Sequence, residues 1–181
     1  MSLSEVSLFY VLGEDPAQRS FVRAWLLASG VSHRCIHTVE PPAHAGGLSF
    51  VLSRAAEVVK AAMSRARSKA KTRVIVMLDA DAETVQQRVA RLSQCCIEQT
   101  PEGLEIVCLL VPKRHIETWV HALQNGGCAG DPSTDESVDY KPKSIEEVRA
   151  AASRLARCSQ DPQAPASLRL GAQNLRQLKA G

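Results

Sequence analysis

The chain has 181 residues, 22 Lys and Arg against 19 Asp and Glu, and a net charge of +3. That is enough for one domain with a real core, and too little net charge to name a partner. Only 4% of residues are aromatic, which argues against a base-stacking surface and leaves phosphate as the expected contact on any nucleic acid.

No stretch approaches the roughly 18 apolar residues of a membrane span, and the N-terminus lacks the basic and apolar segments of a signal peptide. The expectation is a cytoplasmic protein with no membrane contact. Cys35, Cys95, Cys96, Cys108, Cys128 and Cys158 include no C-x-x-C pair, so no zinc ribbon or thioredoxin-like motif is present. Cys35 and Cys108 read as small buried hydrophobes on strands.

Val6 to Leu12 predicts a first strand, rich in β-branched and aromatic residues. After the break at Gly13 to Pro16, Phe21, Val22, Trp25 and Leu26 recur at helical spacing, and Gly30 closes that helix. His33 to Val39 predicts a second, weaker strand. Pro41-Pro42 and Gly46-Gly47 bound a loop holding His44, expected to be exposed. Ser49 to about Lys71 predicts a long helix whose later part is basic, with Arg54, Lys60, Arg65, Arg67, Lys69 and Lys71 leading into Arg73. That run suits either a phosphate backbone or a solvated face.

Thr72 to Asp81 is the stretch around which the chain is organised. The apolar run Val74 to Leu78 ends in Asp79 and Asp81, as a buried parallel strand does when it delivers acids to the carboxyl edge of a sheet. A helix over Ala82 to Gln94, a strand over Leu104 to Val111 and a helix over Ile116 to Leu123 follow. The alternation predicts an α/β fold with a mostly parallel four-stranded sheet flanked by helices over residues 1–125. Residues 126–143 predict a loop or linker, with Asp139-Tyr140-Lys141 a weak candidate for closing over substrate. Residues 144–181 predict a helical appendage packed on the domain, with helices over Ser144 to Cys158 and Ser167 to Lys179.

Glu14, Asp79 and Asp81 all stand at strand ends that point the same way in a parallel sheet. They are candidate ligands for Mg²⁺ or Mn²⁺, which accept one or two carboxylates together with waters and phosphate oxygens. The structural alternative for the aspartates is a cap on the following helix. Lys113 and Glu117, just past the fourth strand, are candidates for offsetting phosphate charge and for supporting the metal, with His115 as an acid or base. Trp119 reads as core. The serines lack a G-x-S-x-G elbow, and no Walker A or G-x-G-x-x-G element occurs.

Glu14 after the first strand, Asp79-Ala80-Asp81 after a later one, and the four-strand order resemble a Toprim domain over about residues 5 to 125. This module is shared by topoisomerases, primases and overcoming-lysogenization-defect-type nucleases. The resemblance implies that Glu14, Asp79 and Asp81 bind the metal and support phosphoryl transfer. Lacking an appended ATPase or topoisomerase body, the chain looks closer to small stand-alone Toprim-like proteins, some associated with mobile-element defence. The family writes its glutamate before a glycine, whereas Gly13 precedes Glu14 here, so Asp15 stays open as the first ligand. The D-x-D pair also resembles haloacid-dehalogenase-like phosphatases, but Glu83 stands where those carry Thr or Val.

Two functions are carried forward. One is a metal-dependent nuclease acting on nucleic acid through its phosphate backbone. The other is a non-catalytic Toprim-like subunit that works with a protein partner such as an ATPase or helicase. Oligomeric state is left open.

Overall fold

A computed structural model describes residues 3–42, 47–67, 70–97, 106–124, 140–158 and 164–180. His44, Lys69, Cys128, Asp139 and most of the expected 126–143 linker lie outside the described residues.

Strands β1 (Leu8–Gly13), β2 (Ile36–Thr38), β3 (Thr72–Met77) and β4 (Val107–Leu110) alternate with helices α1 (Pro16–Ala28), α2 (Gly47–Arg67), α3 (Val85–Ile97) and α4 (Ile116–Gln124). Helices α5 (Ile145–Cys158) and α6 (Ala166–Ala180) complete the fold. Every strand pairing is parallel, in the order β2-β1-β3-β4, as the βα alternation predicts. Among the described residues, no helix is long and apolar enough to cross a membrane.

Alternation along the strands sends side chains to two cores. Phe9, Val11, Ile75, Met77, Cys108 and Leu110 face α1, α4, α5 and α6. Leu12, Val74, Val76, Leu78 and Leu109 face α2 and α3. Both faces are covered, which explains why β3 reads as a continuous apolar run. The helix that leaves β1 and the helix that leaves β3 therefore lie on opposite faces. Between the carboxyl ends of these two adjacent strands the connections diverge, and this is where open α/β sheets form their ligand crevice.

The two C-terminal helices share the first core. Val148, Ala151, Ala152 and Leu155 of α5, and Leu168, Ala172 and Leu175 of α6, are buried in it. Trp119 is fully buried, donates its ring N–H to Ser167 Oγ at 2.8 Å, and stacks edge-on against Phe21 at 6.1 Å. Asn174 of α6 donates to the carbonyl of Leu109 at 2.9 Å, satisfying an acceptor on the edge strand β4.

Some boundaries differ from expectation for local reasons. Residues 33–35 form a 3-10 turn, so β2 is only three residues long. Helix α3 begins at Val85 because Thr84 caps it: Thr84 Oγ1 accepts from Gln87 N at 3.1 Å, and Gln87 Oε1 accepts from Thr84 N at 2.9 Å. This reciprocal pair is a capping box. The cap role considered for Asp79 or Asp81 is thereby filled by another residue.

Candidate metal centre

Strand pairing persists past the end of β3. Leu78 N donates to Leu110 O at 3.1 Å and Ala80 N to Pro112 O at 2.8 Å, which carries Asp79 in extended backbone beyond the sheet edge. The period-2 alternation puts Asp79 on the face of Ile75 and Met77, toward α1 and α4. That accounts for its surroundings.

Asp79 is only 9% exposed, and its Oδ1 has no hydrogen-bond partner among the described residues. Burial, followed by the charges of Glu14, Asp15, Asp81 and Glu117, pushes its carboxyl up to about 8. Of those charged neighbours Glu14 acts most strongly. Burial also raises the Glu14 carboxyl, helped by Asp81 and Asp15 and opposed by Arg88.

Glu14 follows β1 directly. Its backbone N–H donates to Gln18 Oε1 at 2.8 Å. Asp15 caps α1, accepting from Gln18 N at 2.8 Å. Of the two choices for a first ligand, Asp15 is thus the one engaged in holding the helix start. Gly13 allows the close approach of α1, since a Cβ there would lie 2.9 Å from Arg19 Cγ and 3.1 Å from Gln18 Cβ.

Asp81 stands differently. It occupies a turn closed by Glu83 N donating to Ala80 O at 2.9 Å, and takes a left-handed φ of 53°, a region Asp tolerates better than most residues. Its side chain is 64% exposed, with Oδ2 4.0 Å from Arg88. Among the described residues no three His, Cys, Asp or Glu side chains form a metal cage. The expected set of Glu14, Asp79 and Asp81 reaches one edge without closing, because the turn carries the Asp81 carboxylate outward.

Lys113 and Arg114 grip that same turn. Lys113 Nζ donates to Glu83 O at 2.9 Å and Arg114 Nη1 to Asp81 O at 3.1 Å. Lys113 therefore braces the acidic loop, which the sequence does not indicate. Glu117 Oε2 lies 3.1 Å from His115 Nδ1, both side chains being partly exposed.

Arg88, Gln18 and Thr118 were not among the candidates read from the sequence. Arg88 is 3% exposed, donates to Ala80 O at 3.2 Å and lies 3.3 Å from Glu83 Oε2. Its signal was present, since Arg88 shares the helical stripe of Val85, Val89 and Leu92, where a cation is out of place. Among the described residues, every buried side-chain polar atom without a hydrogen-bond partner belongs to Gln18, Asp79, Glu83, Arg88, His115 or Thr118. All six stand at the carboxyl edge of the sheet. Of these atoms, Arg88 Nε faces Glu83 Oε2 at 3.3 Å and His115 Nδ1 faces Glu117 Oε2 at 3.1 Å, which leaves Gln18 Nε2, Asp79 Oδ1, Arg88 Nη1 and Thr118 Oγ1 without a partner among the described residues.

The basic run sits elsewhere. Parallel strands require α2 to return from the carboxyl edge to the amino edge, and Lys71 there pairs with Glu5 at 3.0 Å, just ahead of β1. Thr72 and Asp79 are separated by roughly 23 Å at the strand rise per residue. Arg65, Lys71 and Arg73 therefore do not converge on the acids. Arg54 pairs with Glu57 on the exposed side of α2. Tyr140 is held by Gln124 at 2.5 Å and by Glu147 at 3.1 Å, at the end of α4 that points away from the acids.

No family model matches the chain, and neither a curated protein nor a solved structure matches it.

Proposed function

We propose that the chain is a Toprim-like, divalent-metal-dependent protein of phosphoryl transfer, cleaving phosphodiesters in nucleic acid. The observation that carries this reading is Asp79, a buried carboxylate with an unpartnered oxygen among four other acids at the divergence of the β1 and β3 connections. Burying an unpaired charge is unfavourable, and a cation at this edge relieves it.

The residues fit Mg²⁺ or Mn²⁺. Glu14 and Asp79 would hold the ion, with Asp81 at the rim, because Mg²⁺ takes few carboxylates and keeps waters and phosphate oxygens as its other ligands. When bound, such an ion supplies positive charge to a phosphoryl oxygen and lowers the pKa of water. Lys113 and Arg114 position the turn that bears Asp81. His115, with Nδ1 set against Glu117, offers Nε2 as the atom that accepts or returns a proton.

The test is cleavage of supercoiled plasmid, single-stranded DNA and single-stranded RNA with Mg²⁺, Mn²⁺ or chelator. Asp79→Asn is expected to abolish cutting while circular dichroism stays unchanged, and cutting retained in that variant contradicts the proposal.

The second reading, a non-catalytic Toprim-like subunit of a DNA-processing or defence assembly, is favoured by one observation. The later part of α2 is remote from the acids, and its exposed Lys60 and Arg65 offer a basic surface to a partner such as an ATPase or helicase. A folded protein that binds the metal yet cuts none of the substrates supports it.

A further inference from the structure

A second polar site lies on the same edge of the sheet, on the β2 side. Pro16, Arg19, Ser20 and Arg23 follow the i, i+3, i+4, i+7 spacing of one helix stripe on α1, separate from the apolar stripe of Phe21, Val22, Trp25 and Leu26. Across from this stripe stand Thr38, the last residue of β2, and Glu40. Together these six residues line a cavity of about 210 Å³.

Its chemistry is specific. Arg19 is 6% exposed and its guanidinium is fixed by Gly13 O at 3.0 Å and Glu40 Oε2 at 3.0 Å. Arg23, one turn further on, has no ion-pair or hydrogen-bond partner among the described residues. Two guanidiniums against one carboxylate leave the cavity net positive, and the Ser20 and Thr38 hydroxyls supply further donors. Arg forks with neighbouring hydroxyls match the oxygens of a phosphate. The volume is below the roughly 300–1,000 Å³ of pockets that enclose a whole small molecule, so the fit is to a single anionic group.

The placement says which phosphate. Gly13, whose carbonyl orients Arg19, directly precedes Glu14, so the cavity adjoins the acidic centre along the chain. We propose that this cavity binds a phosphate of the substrate strand flanking the one that reacts, with Arg23 as its main unshared donor. This rests on the phosphoryl-transfer reading above.

The test begins with inorganic phosphate, titrated by calorimetry into the intact chain and into Arg23→Ala, Glu40→Gln and Asp79→Asn. Losing one charged donor weakens binding about tenfold in Arg23→Ala, whose side chain is partly exposed and whose removal the fold tolerates. Glu40→Gln tightens binding, because Arg19 is released from its ion pair and a like charge is removed. Asp79→Asn leaves it unchanged.

Equal phosphate affinity in the wild type and Arg23→Ala, with Glu40→Gln no tighter, overturns the proposal, as does loss of binding in Asp79→Asn. A short single-stranded oligonucleotide then separates a backbone phosphate from a free one. Its binding in metal-free buffer weakens in Arg23→Ala if the backbone is the ligand, and an unchanged oligonucleotide affinity overturns that assignment. If no substrate is ever cut, the functional reading fails while these binding measurements still decide the cavity.

Discussion

A carboxyl that keeps its proton to about 8 makes folding depend on pH, and for Asp79 the sign can be worked out. Its ordinary value, and hence its value in the unfolded chain, is 3.8. Between the two values the native state binds the extra proton, so stability falls as pH rises through this window and the loss is complete above the folded value. Asp79→Asn removes the dependence. In chelator, the variant is expected to melt close to the wild type at about pH 3, below the unfolded value, and several degrees above it at about pH 9. A variant that melts below the wild type at the higher pH contradicts the assignment of burial and like charge as the cause. A metal at this carboxylate must displace the proton, so its affinity should climb with pH until Asp79 is ionised.

Helix starts set the geometry of the edge, and side-chain caps fix two of them, the one that Thr84 caps falling three residues after the start expected from the apolar stripe. Asp15-x-x-Gln18 and Thr84-x-x-Gln87 both have capping spacing, and both cap in the structure. Thr84→Ala should cost about 1 kcal/mol, read as a lower urea midpoint. An unchanged midpoint contradicts that role. In the helical layer that holds α6, a Cβ on Gly171 would sit 2.4 Å from Trp119 Cη2, so Gly171→Ala should destabilise by about 1–3 kcal/mol as α6 is pushed off α4. A neutral substitution there contradicts the close seating of α6.

The parallel sheet and the strand-end acids were legible because apolar runs ending in Asp and alternating with helical stripes have few other solutions. The outward turn of Asp81 and the engagement of Lys113 with Glu83 O were not, because both depend on the 80–83 turn meeting the segment after β4. No local pattern encodes that meeting.

At the scale of the whole molecule, among the described residues the acidic cluster and the basic run of α2 stand at opposite edges of the sheet, although Arg88, Lys113 and Arg114 share the edge of the acids. The acids collect where β1 and β3 end, while Lys71 and the last turns of α2 belong to the edge where the strands begin. Proximity in sequence hid this, because Arg73 and Asp79 are close along the chain yet stand at opposite ends of one strand. Lys60→Glu with Arg65→Glu should therefore leave the KM for a short oligonucleotide unchanged, and a clear rise in KM would mean that the substrate spans both edges.

The most direct measurement is a Mn²⁺ titration of the intact chain above the Asp79 titration, followed by electron paramagnetic resonance, with Asp79→Asn alongside. A divalent site built on Asp79 predicts saturable Mn²⁺ binding in the wild type, lost in a variant that keeps its circular dichroism. A folded wild type that binds no Mn²⁺, or a variant that binds it equally well, contradicts a metal centre at this edge.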